Sequence, residues 1–520
     1  MDKNRMLRPP WLGALTLGLL GAPFVARAAE PSPPGALPPP LAAALKASGL
    51  PASAVSLLVL PAEDGPPRLA HEADTVRQPA SVAKLFTTGA ALQRLGPAYT
   101  WHTDVALGGP LSADGVLAGP LHLRGGGDPG LVLEQIGLMM ARWREAGLKE
   151  IQGDLLIDRS AFNVPPHDPT TFDGQGLKPY NAGPDALLLN HQAIVLRLRP
   201  DSARPGWAKV SLSPPLDGVT LDAEVVLQGE ACGDWRGRLA LRTETGPTLN
   251  GPSHPAPWTL TLRGAYAPAC GERDWPLLWP GGGTDLAERL LPRLWRDAGG
   301  TLHGRVRAGD WPATAPVWAS WVSPALGPQV RDINKFSNNV MARQLFLTLA
   351  QPAMAPGQPP ATLAQARELL GQHVREATRD AQGRSPCDGP ALVLDNGSGL
   401  SRLERSSAAC LGRWLQAVWR SPVMPELLAS LPVSGVDGTA RRLGSVAGRA
   451  HLKTGSLDGV ASIAGVADGD SGRRWVVVGL INHPQADAAR PLLEALVAWA
   501  LHDAPSPNEG DPVKSAQETR

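Results

Sequence analysis

The chain has 520 residues, which exceeds what one compact core usually contains and predicts two or three domains. Its 49 Lys and Arg residues nearly balance its 48 Asp and Glu residues, for a net charge of +1. This balance argues against a nucleic-acid partner and against binding to an acidic membrane surface.

The first 28 residues have the composition of a secretory signal. Basic residues precede an apolar stretch over residues 11–25, and a small-x-small cleavage pattern follows at residues 26–28. The apolar stretch is short for a membrane span and contains Pro23. We therefore predict a signal peptide over residues 1–28, a Pro-rich linker over residues 29–40 and a periplasmic protein without a stable membrane anchor; a retained anchor is the alternative.

The first elements of the mature chain lead to a helix that starts at Ser81. Apolar runs predict a short helix over residues 41–48, a buried strand over residues 54–60 and a second strand near residues 68–72. The helix from Ser81 is expected to run to about Leu95, where a Gly-Pro pair ends it.

From about residue 99 to residue 271 the pattern changes to short alternating runs, interrupted by one helix over residues 130–146, which predicts a β-rich insertion. Beyond it we predict helices over residues 284–299, 339–349, 363–379, 406–420 and 487–502, and strands over residues 451–455, 461–467 and 475–482. The domain prediction is a catalytic domain from residues 41–97 and 275–503, an insertion of one or two small domains over residues 98–274, and a polar tail over residues 504–520.

The four cysteines are Cys232, Cys270, Cys387 and Cys410, and they are able to oxidise after export. Spacing alone allows three pairings. We favour Cys232 with Cys270, because both lie in one Gly- and Trp-rich, strand-like region; four free thiols are the alternative. The sequence has no C-x-x-C, no H-E-x-x-H and no clustered histidine spacing, so we expect no metal and no cofactor.

The segment Ser81-Val82-Ala83-Lys84 is the first of three short motifs that indicate chemistry. On a helix, Ser81 and Lys84 lie one turn apart on one face. A serine hydroxyl needs a base to take its proton, and a lysine amine becomes that base when burial and a second cation lower its pKa. The N–H of Ser81 is a candidate oxyanion donor. The alternative is an N-cap serine beside an unrelated lysine, although no other lysine has a serine three residues before it.

The second motif, Ser337-Asn338-Asn339, opens a predicted helix. Ser337 is a candidate to relay a proton to a leaving amine, and Asn339 is a candidate to bind a substrate amide. The alternative is ordinary N-capping. The pattern is weak alone, since Ser-x-Asn recurs at residues 506–508.

The third motif, Lys453-Thr454-Gly455, ends a predicted strand and is followed by Ser456. Lys453 and Thr454 are candidates for binding a carboxylate. Gly455 leaves room for a substrate backbone along the strand edge, and the N–H of Ser456 is a second candidate oxyanion donor. The alternative is a strand end with a turn glycine.

In this order, the three motifs resemble the set found in class A β-lactamases and penicillin-binding proteins. Six stretches extend the likeness to the D-alanyl-D-alanine carboxypeptidase/endopeptidase family of low-molecular-mass penicillin-binding proteins, in which a large insertion follows the first motif. They are residues 78–85, 123–131, 153–162, 333–339, 395–402 and 453–460. The resemblance implies an α/β (α+β) catalytic domain of the serine β-lactamase/transpeptidase type, with an antiparallel sheet flanked by helices.

The resemblance also implies a pocket for the side chain of a cross-linking diamino acid. On matching positions its residues are Asp158, Phe162 and Arg402, and Arg402 is suited to pair with a substrate carboxylate. Some relatives have a polar amide where this chain has Asp458, which leaves the fine substrate preference open. Asn338 stands where Asp is common, and we expect its side chain to point away from the substrate.

The function that the resemblance implies is a serine-type D-Ala-D-Ala carboxypeptidase/endopeptidase. It would act on peptidoglycan peptides through an acyl-enzyme on Ser81, be acylated by β-lactams, and have Lys84 as its base. One alternative is a β-lactamase or esterase on the same scaffold, against which the long insertion argues. The other is a non-catalytic wall-binding protein, against which the nucleophile and the motif lysines argue. A homodimer and the carboxypeptidase-to-endopeptidase balance are left open.

Overall fold

The computed structural model describes residues 37–247, 255–350 and 359–503. The predicted signal peptide, most of the predicted linker and the predicted polar tail lie outside these ranges. The first described helix begins at Pro39, inside the predicted linker, because proline is tolerated in the first turn of a helix, where its missing N–H is not needed. No helix in the described ranges is both long enough and apolar enough to cross a membrane.

The described residues form ten α-helices. They are α1 (Pro39–Ser48), α2 (Lys84–Leu95), α3 (Leu133–Glu145), α4 (Gly282–Asp297), α5 (Leu326–Lys335), α6 (Asn339–Thr348), α7 (Leu363–Ala377), α8 (Ala408–Trp419), α9 (Met424–Ser430) and α10 (Arg490–Leu501). Two of them, α5 and α9, were not predicted. Both are short, at 10 and 7 residues, and therefore show few repeats of the apolar period that predicts a helix.

The described residues also form twenty-one strands. They are β1 (Val55–Pro61), β2 (Leu69–His71), β3 (His102–Leu107), β4 (Val116–Leu117), β5 (Leu121–Gly125), β6 (Glu150–Ile151), β7 (Leu155–Asp158), β8 (Ala193–Pro200), β9 (Ala208–Ser213), β10 (Val219–Leu227), β11 (Leu239–Thr245), β12 (Trp258–Tyr266), β13 (Arg273–Leu278), β14 (Thr301–Leu302), β15 (Val306–Ala308), β16 (Ala319–Val322), β17 (Leu392–Val393), β18 (Arg405–Ser406), β19 (Ala450–Leu457), β20 (Val460–Asp468) and β21 (Arg474–Asn482).

A five-stranded antiparallel sheet joins β1 and β2 to β19, β20 and β21. Its strand order is β19-β20-β21-β1-β2. Helices α2 and α5 to α9 cover one face through one hydrophobic core, and α1 and α10 cover the other face through a second core. Because both faces are covered, β1, β20 and β21 are apolar along most of their length rather than alternating. This arrangement confirms the predicted α/β (α+β) class with an antiparallel sheet flanked by helices.

The insertion has a hydrophobic core of its own, built from four small sheets, α3 and α4. The largest of these sheets has the order β15-β7-β5-β3-β16, and the other three have three strands each. This core contains residues from Val105 to Trp321. The boundary predicted after residue 274 therefore falls inside the core and within β13, and we propose that the insertion ends near residue 322, after β16 pairs with β3.

Two disulfides join the four cysteines. Cys232 pairs with Cys270 in the insertion, which confirms the favoured pairing, and Cys387 pairs with Cys410 beside α8. The alternative of four free thiols is therefore wrong.

Candidate active site

Ser81 lies in a tight turn that leads directly into α2. Residues Ala80–Ala83 form a 3-10 turn, and Ala80 adopts a left-handed φ of 50°. The side chain of Gln78 holds this backbone, because its Oε1 accepts the Ala80 N–H at 2.6 Å. Gly399, with a φ of 78°, packs so closely that a Cβ would overlap the Ala80 carbonyl. Such strain persists only where surrounding contacts impose it, and here it presents a half-buried Ser81 at a helix start.

Lys84 is fully buried in the first turn of α2, and its amine contacts three oxygens. Its Nζ lies 3.1 Å from Ser81 Oγ and 2.5 Å from Asn339 Oδ1, and it also donates to the carbonyl of Ser398. The predicted pair of Ser81 and Lys84 is therefore in hydrogen-bonding contact. Asn339 from the second motif contacts the same amine.

The second motif divides its three residues between two tasks. Asn338 caps α6, because its side chain accepts the N–H groups of Val340 and Met341 at 3.0 and 3.1 Å. This side chain is thus directed to the helix, as expected. Ser337 has a left-handed φ of 57° and its Oγ accepts a hydrogen bond from Lys453 Nζ at 2.9 Å.

Lys453 projects from β19 and is fully buried. Its Nζ donates to Ser337 Oγ and, at 2.7 Å, to the carbonyl of Thr454. The Thr454 hydroxyl donates to Thr439 Oγ1 at 2.8 Å. It makes no hydrogen bond with Lys84 or Lys453. Thr439 lies outside the three motifs, and no short pattern in the sequence would have identified it.

The Ser81 turn packs over Gly455 of β19 and Ser462 of β20. The Leu452 N–H donates outward to the Pro432 carbonyl at 2.8 Å, and strand periodicity directs the Ser456 N–H to the same edge. Gly455 makes the close approach possible, since a Cβ there would lie against Ser462 Oγ and 2.9 Å from the Ser81 nitrogen. The backbone of the third motif therefore lies directly beside Ser81.

Burial shapes the electrostatics of the two lysines. Burial lowers the pKa of Lys453 to about 7. Burial, followed by the nearby Lys453 cation, holds the pKa of Lys84 well below its usual value; the Glu404 carboxylate opposes this shift, and Arg343 adds to it. A buried ammonium is disfavoured because it loses its hydration, and a second cation disfavours it further. The arrangement supplies a lysine that is neutral at a much lower pH than an exposed one.

Arg402 lies at the rim of a groove between the insertion and the catalytic core. Its guanidinium donates to the Asp458 carbonyl at 3.1 Å and stacks 5.0 Å from the ring centre of Phe172, a residue of the insertion. The exposed Asp458 side chain itself projects from the turn between β19 and β20. The groove has a volume of about 430 Å³, and its walls include His167, Phe172, Arg343 and Arg402.

Asp158 and Phe162 lie in the insertion, farther along the same surface. Both carboxylate oxygens of Asp158 accept backbone N–H groups, from Ser160 at 2.7 Å and from Trp311 at 2.8 Å. Its hydrogen bonds therefore hold the insertion together and do not join it to the lysine pair. Phe162 lines a second cavity of about 550 Å³, which shares the wall residue His167 with the Arg402 groove.

The structure brings Ser81, Lys84 and Asn339 together in one hydrogen-bonded group and Ser337 and Lys453 in a second, with Gly455 beside Ser81. The Lys453 cation is near enough to act on the Lys84 amine. A serine hydroxyl beside a buried amine, a second hydroxyl–amine pair and an edge strand suit acyl transfer from a peptide-like substrate. Within the described ranges no group of acidic, histidine or cysteine side chains has the arrangement of a metal site.

Comparisons with known proteins agree with this chemistry. A model of the D-Ala-D-Ala carboxypeptidase 3 (S13) family matches residues 39–502. The chain is 28% identical over 459 residues to a D-alanyl-D-alanine carboxypeptidase of Actinomadura sp. (strain R39), covering 82% of this chain and 78% of that relative. It is 24% identical over 423 residues to D-alanyl-D-alanine carboxypeptidase DacB of Haemophilus influenzae, with 79% and 82% covered.

The fold is similar to a crystal structure of penicillin binding protein 4 (dacB) from Haemophilus influenzae. The TM-score is 0.69 at 20% identity, with 88% of this chain and 98% of that chain covered.

Proposed function

The chain belongs to the D-Ala-D-Ala carboxypeptidase 3 (S13) family, and from this premise we propose that Ser81 is its nucleophile and Lys84 its general base. Membership makes the chain a serine-type D-Ala-D-Ala carboxypeptidase. One observation supports these roles above all: the fully buried Lys84 amine lies 3.1 Å from Ser81 Oγ. Because its pKa is held well below the usual value, this amine is able to accept the serine proton near neutral pH.

In the proposed reaction, Ser81 Oγ attacks the carbonyl carbon of the penultimate D-alanine while Lys84 takes the hydroxyl proton. The C–N bond then breaks, and the nitrogen of the leaving D-alanine takes a proton from Ser337. Lys453 replaces that proton along its 2.9 Å hydrogen bond to Ser337 Oγ. Water attacks the acyl carbonyl and gives one proton through Ser337 to Lys453, while Lys84 returns its proton to Ser81 Oγ as the ester C–O bond breaks. The shortened peptide leaves as an acid, and both lysines regain their starting protonation.

The oxyanion of each tetrahedral intermediate is proposed to bind the N–H groups of Ser81 and Ser456. The first lies at a helix start and the second on the outer edge of β19, beside Ser81. Asn339 is proposed to bind a substrate amide while it holds Lys84. Thr454 and Lys453 are proposed to bind the terminal carboxylate of the substrate.

The groove at Arg402 is proposed to accept the side chain of a cross-linking diamino acid. The Arg402 guanidinium contacts the Asp458 carbonyl and the Phe172 ring. In this position it is able to pair with a substrate carboxylate. Phe162 lines the adjoining cavity, so a longer side chain or a second peptide strand has room there. Asp158 keeps only a supporting role in this proposal, because backbone donors occupy both of its oxygens.

We further propose that the enzyme acts on peptidoglycan peptides in the periplasm, cleaves cross-links as an endopeptidase as well as terminal D-alanine, and is acylated by β-lactams. The signal-like composition of residues 1–28 supports export. The groove that continues beyond Arg402 supports a branched or cross-linked substrate. A homodimer stays a prediction from the sequence.

The test is intact-mass spectrometry of the purified mature chain after incubation with benzylpenicillin. We expect a single lasting adduct on the wild type and none on Ser81→Ala, which also loses D-alanine release. Ser211→Ala, on the exposed surface of β9, is the matched control and should acylate like the wild type. Acylation or peptidase activity retained by Ser81→Ala would refute the assignment.

A β-lactamase on the same scaffold gives a different result in the same experiment. It would hydrolyse benzylpenicillin rapidly and leave no lasting adduct. Neither adduct nor hydrolysis would instead favour a wall-binding protein.

A further inference from the structure

Glu404 is a buried carboxylate that lies outside the three motifs. Its side chain is 1% exposed. Oε1 accepts the backbone N–H groups of Asn396 at 3.2 Å and Gly397 at 3.1 Å. Among the described residues, no donor reaches its buried Oε2. Burying a charge without full hydrogen bonding is costly, so a carboxylate kept here calls for an explanation beyond packing.

The turn that Glu404 holds is the turn that contacts the start of α2. The Ser398 carbonyl accepts a hydrogen bond from Lys84 Nζ, and the Gly397 carbonyl accepts one from Thr87 Oγ1 at 2.7 Å. Glu404 therefore fixes, through two backbone hydrogen bonds, the carbonyl that orients the Lys84 amine.

Three cations from neighbouring elements lie in this region: Lys453 and Arg343 act on the Lys84 amine, and Lys84 and Arg343 interact with Glu404. Lys84 comes from α2, Lys453 from β19 and Arg343 from α6, and all three are buried. Burial lowers the pKa of Arg343 to about 10, and Glu404 and Asp395 oppose that change. Asp395 is itself paired with Arg367 at 2.5 Å.

The cations around Lys84 create a difficulty for the reaction. When Lys84 takes the proton of Ser81, it becomes a third cation beside Lys453 and Arg343. Like charges in a buried site repel strongly, whereas an opposite charge nearby stabilises the ammonium. Glu404 is the carboxylate that favours the charged form of Lys84.

We propose that Glu404 is a positioning residue for Lys84, which holds the Ser398 carbonyl against its amine and supplies the negative charge that stabilises the ammonium formed during acylation. The proton moves from Ser81 Oγ to Lys84 Nζ. Burial raises the pKa of Glu404 and the Asp395 carboxylate adds to this, whereas the N–H groups of Asn396 and Gly397 and the Lys84 ammonium favour the ionised carboxylate that this role needs. This role rests on the proposed function of Ser81 and Lys84.

The test compares the pH dependence of Ser81 acylation by the chromogenic β-lactam nitrocefin in the wild type, Glu404→Gln and Glu368→Gln. Glutamine keeps the Oε1 acceptor for Asn396 and Gly397 but removes the charge. The acid limb of acylation reports the ionisation of the base in the free enzyme. We expect the limb of Glu404→Gln to move to lower pH by about one unit and its plateau rate to fall about tenfold. Glu368 is exposed on α7, and Glu368→Gln is the control. It should change neither the position of the acid limb nor the plateau rate.

A purely structural role would lower the rate without moving the limb, so a limb that coincides with the wild type overturns the proposal. Glu404→Asp keeps the charge and guards against misfolding of the glutamine variant. Its limb should match the wild type even if its rate is lower, and a displaced limb in that variant also overturns the proposal. A wild type that nitrocefin does not acylate would refute the proposed nucleophile, and with it this role.

Discussion

The two motif lysines differ from ordinary lysines because the fold removes them from water. Lys84 and Lys453 are both fully buried, and each amine is held by two or three oxygens. Burial favours the neutral amine, which is the form that abstracts a proton. The same burial lowers the free energy of unfolding at every pH at which the lysine is protonated in the unfolded chain.

Replacing Lys453 by methionine is expected to stabilise the protein at low pH while impairing catalysis. The folded-state pKa of Lys453, about 7, lies below its unfolded value, so the unfolded state binds more protons between about pH 7 and about pH 10. The wild type should gain stability as the pH rises through this window. At pH 6 the free energy of unfolding of Lys453→Met should exceed that of the wild type by about 3–4 kcal/mol. This difference should vanish above about pH 10.

Urea unfolding across this pH range measures the effect. Lys46→Met, on the exposed surface of α1, is the control and should show no such pH-dependent gain. If Lys453→Met raises the free energy of unfolding by the same amount at every pH, the folded-state pKa of Lys453 is not lowered, and the prediction is wrong.

At the scale of elements, the site depends on how closely an edge strand approaches a helix start. β19 is an edge strand of its sheet, and the Ser81 turn packs over Gly455 of β19 and Ser462 of β20. Gly455 permits this approach, and Gly399 permits the same on the opposite side of the turn. Two glycines from distant parts of the chain thus place Ser81, the proposed nucleophile, between two backbones.

Gly455→Ala is expected to lower kcat/KM for a D-Ala-D-Ala peptide about 100-fold, because the added Cβ displaces Ser462 or the Ser81 backbone. The measurement is steady-state release of D-alanine, with the melting temperature recorded alongside. Gly444→Ala adds a Cβ in open space and should retain wild-type kinetics. Wild-type kinetics in Gly455→Ala would mean that β19 is free to move away from Ser81.

At the scale of the molecule, the insertion and the catalytic core are separate hydrophobic cores that meet at the groove of Arg402. Each contains one disulfide. Cys387 and Cys410 are 23 positions apart, and their disulfide joins a loop to α8, which packs against α2. A crosslink stabilises mainly by restricting the unfolded chain, so each disulfide should act on the core that contains it.

Replacing Cys387 and Cys410 together by alanine is expected to lower the free energy of unfolding by about 3 kcal/mol and to shorten the survival of penicillin acylation on heating. Replacing Cys232 and Cys270 should destabilise the insertion by about 3–4 kcal/mol and leave the acylation rate at 25 °C unchanged. Calorimetry and acylation after heating distinguish the two pairs. Equal loss of acylation in both variants would indicate that the two cores unfold as one unit.

The sequence by itself determined the local features of this protein. Helix starts, buried strands, the change of pattern at residue 99 and the order of the three motifs depend on short-range periodicity and turn residues, which local physics controls. It also indicated the favoured disulfide, since Cys232 and Cys270 lie in one β-rich stretch. The motifs identified the nucleophile candidate, and the family resemblance that they carry implied the fold class.

Only the tertiary structure decided which distant groups meet. Thr439 contacts Thr454 across 15 positions and Ser398 contacts Lys84 across 314, and no spacing rule predicts such contacts. Glu404 contacts Gly397, in the turn that includes Ser398. The proposed end of the insertion near residue 322 also depends on the tertiary structure, because β14 to β16 pair with β6, β7 and β3 after a long helix. The pKa values of the lysines depend on burial, and burial is a property of the packed chain alone.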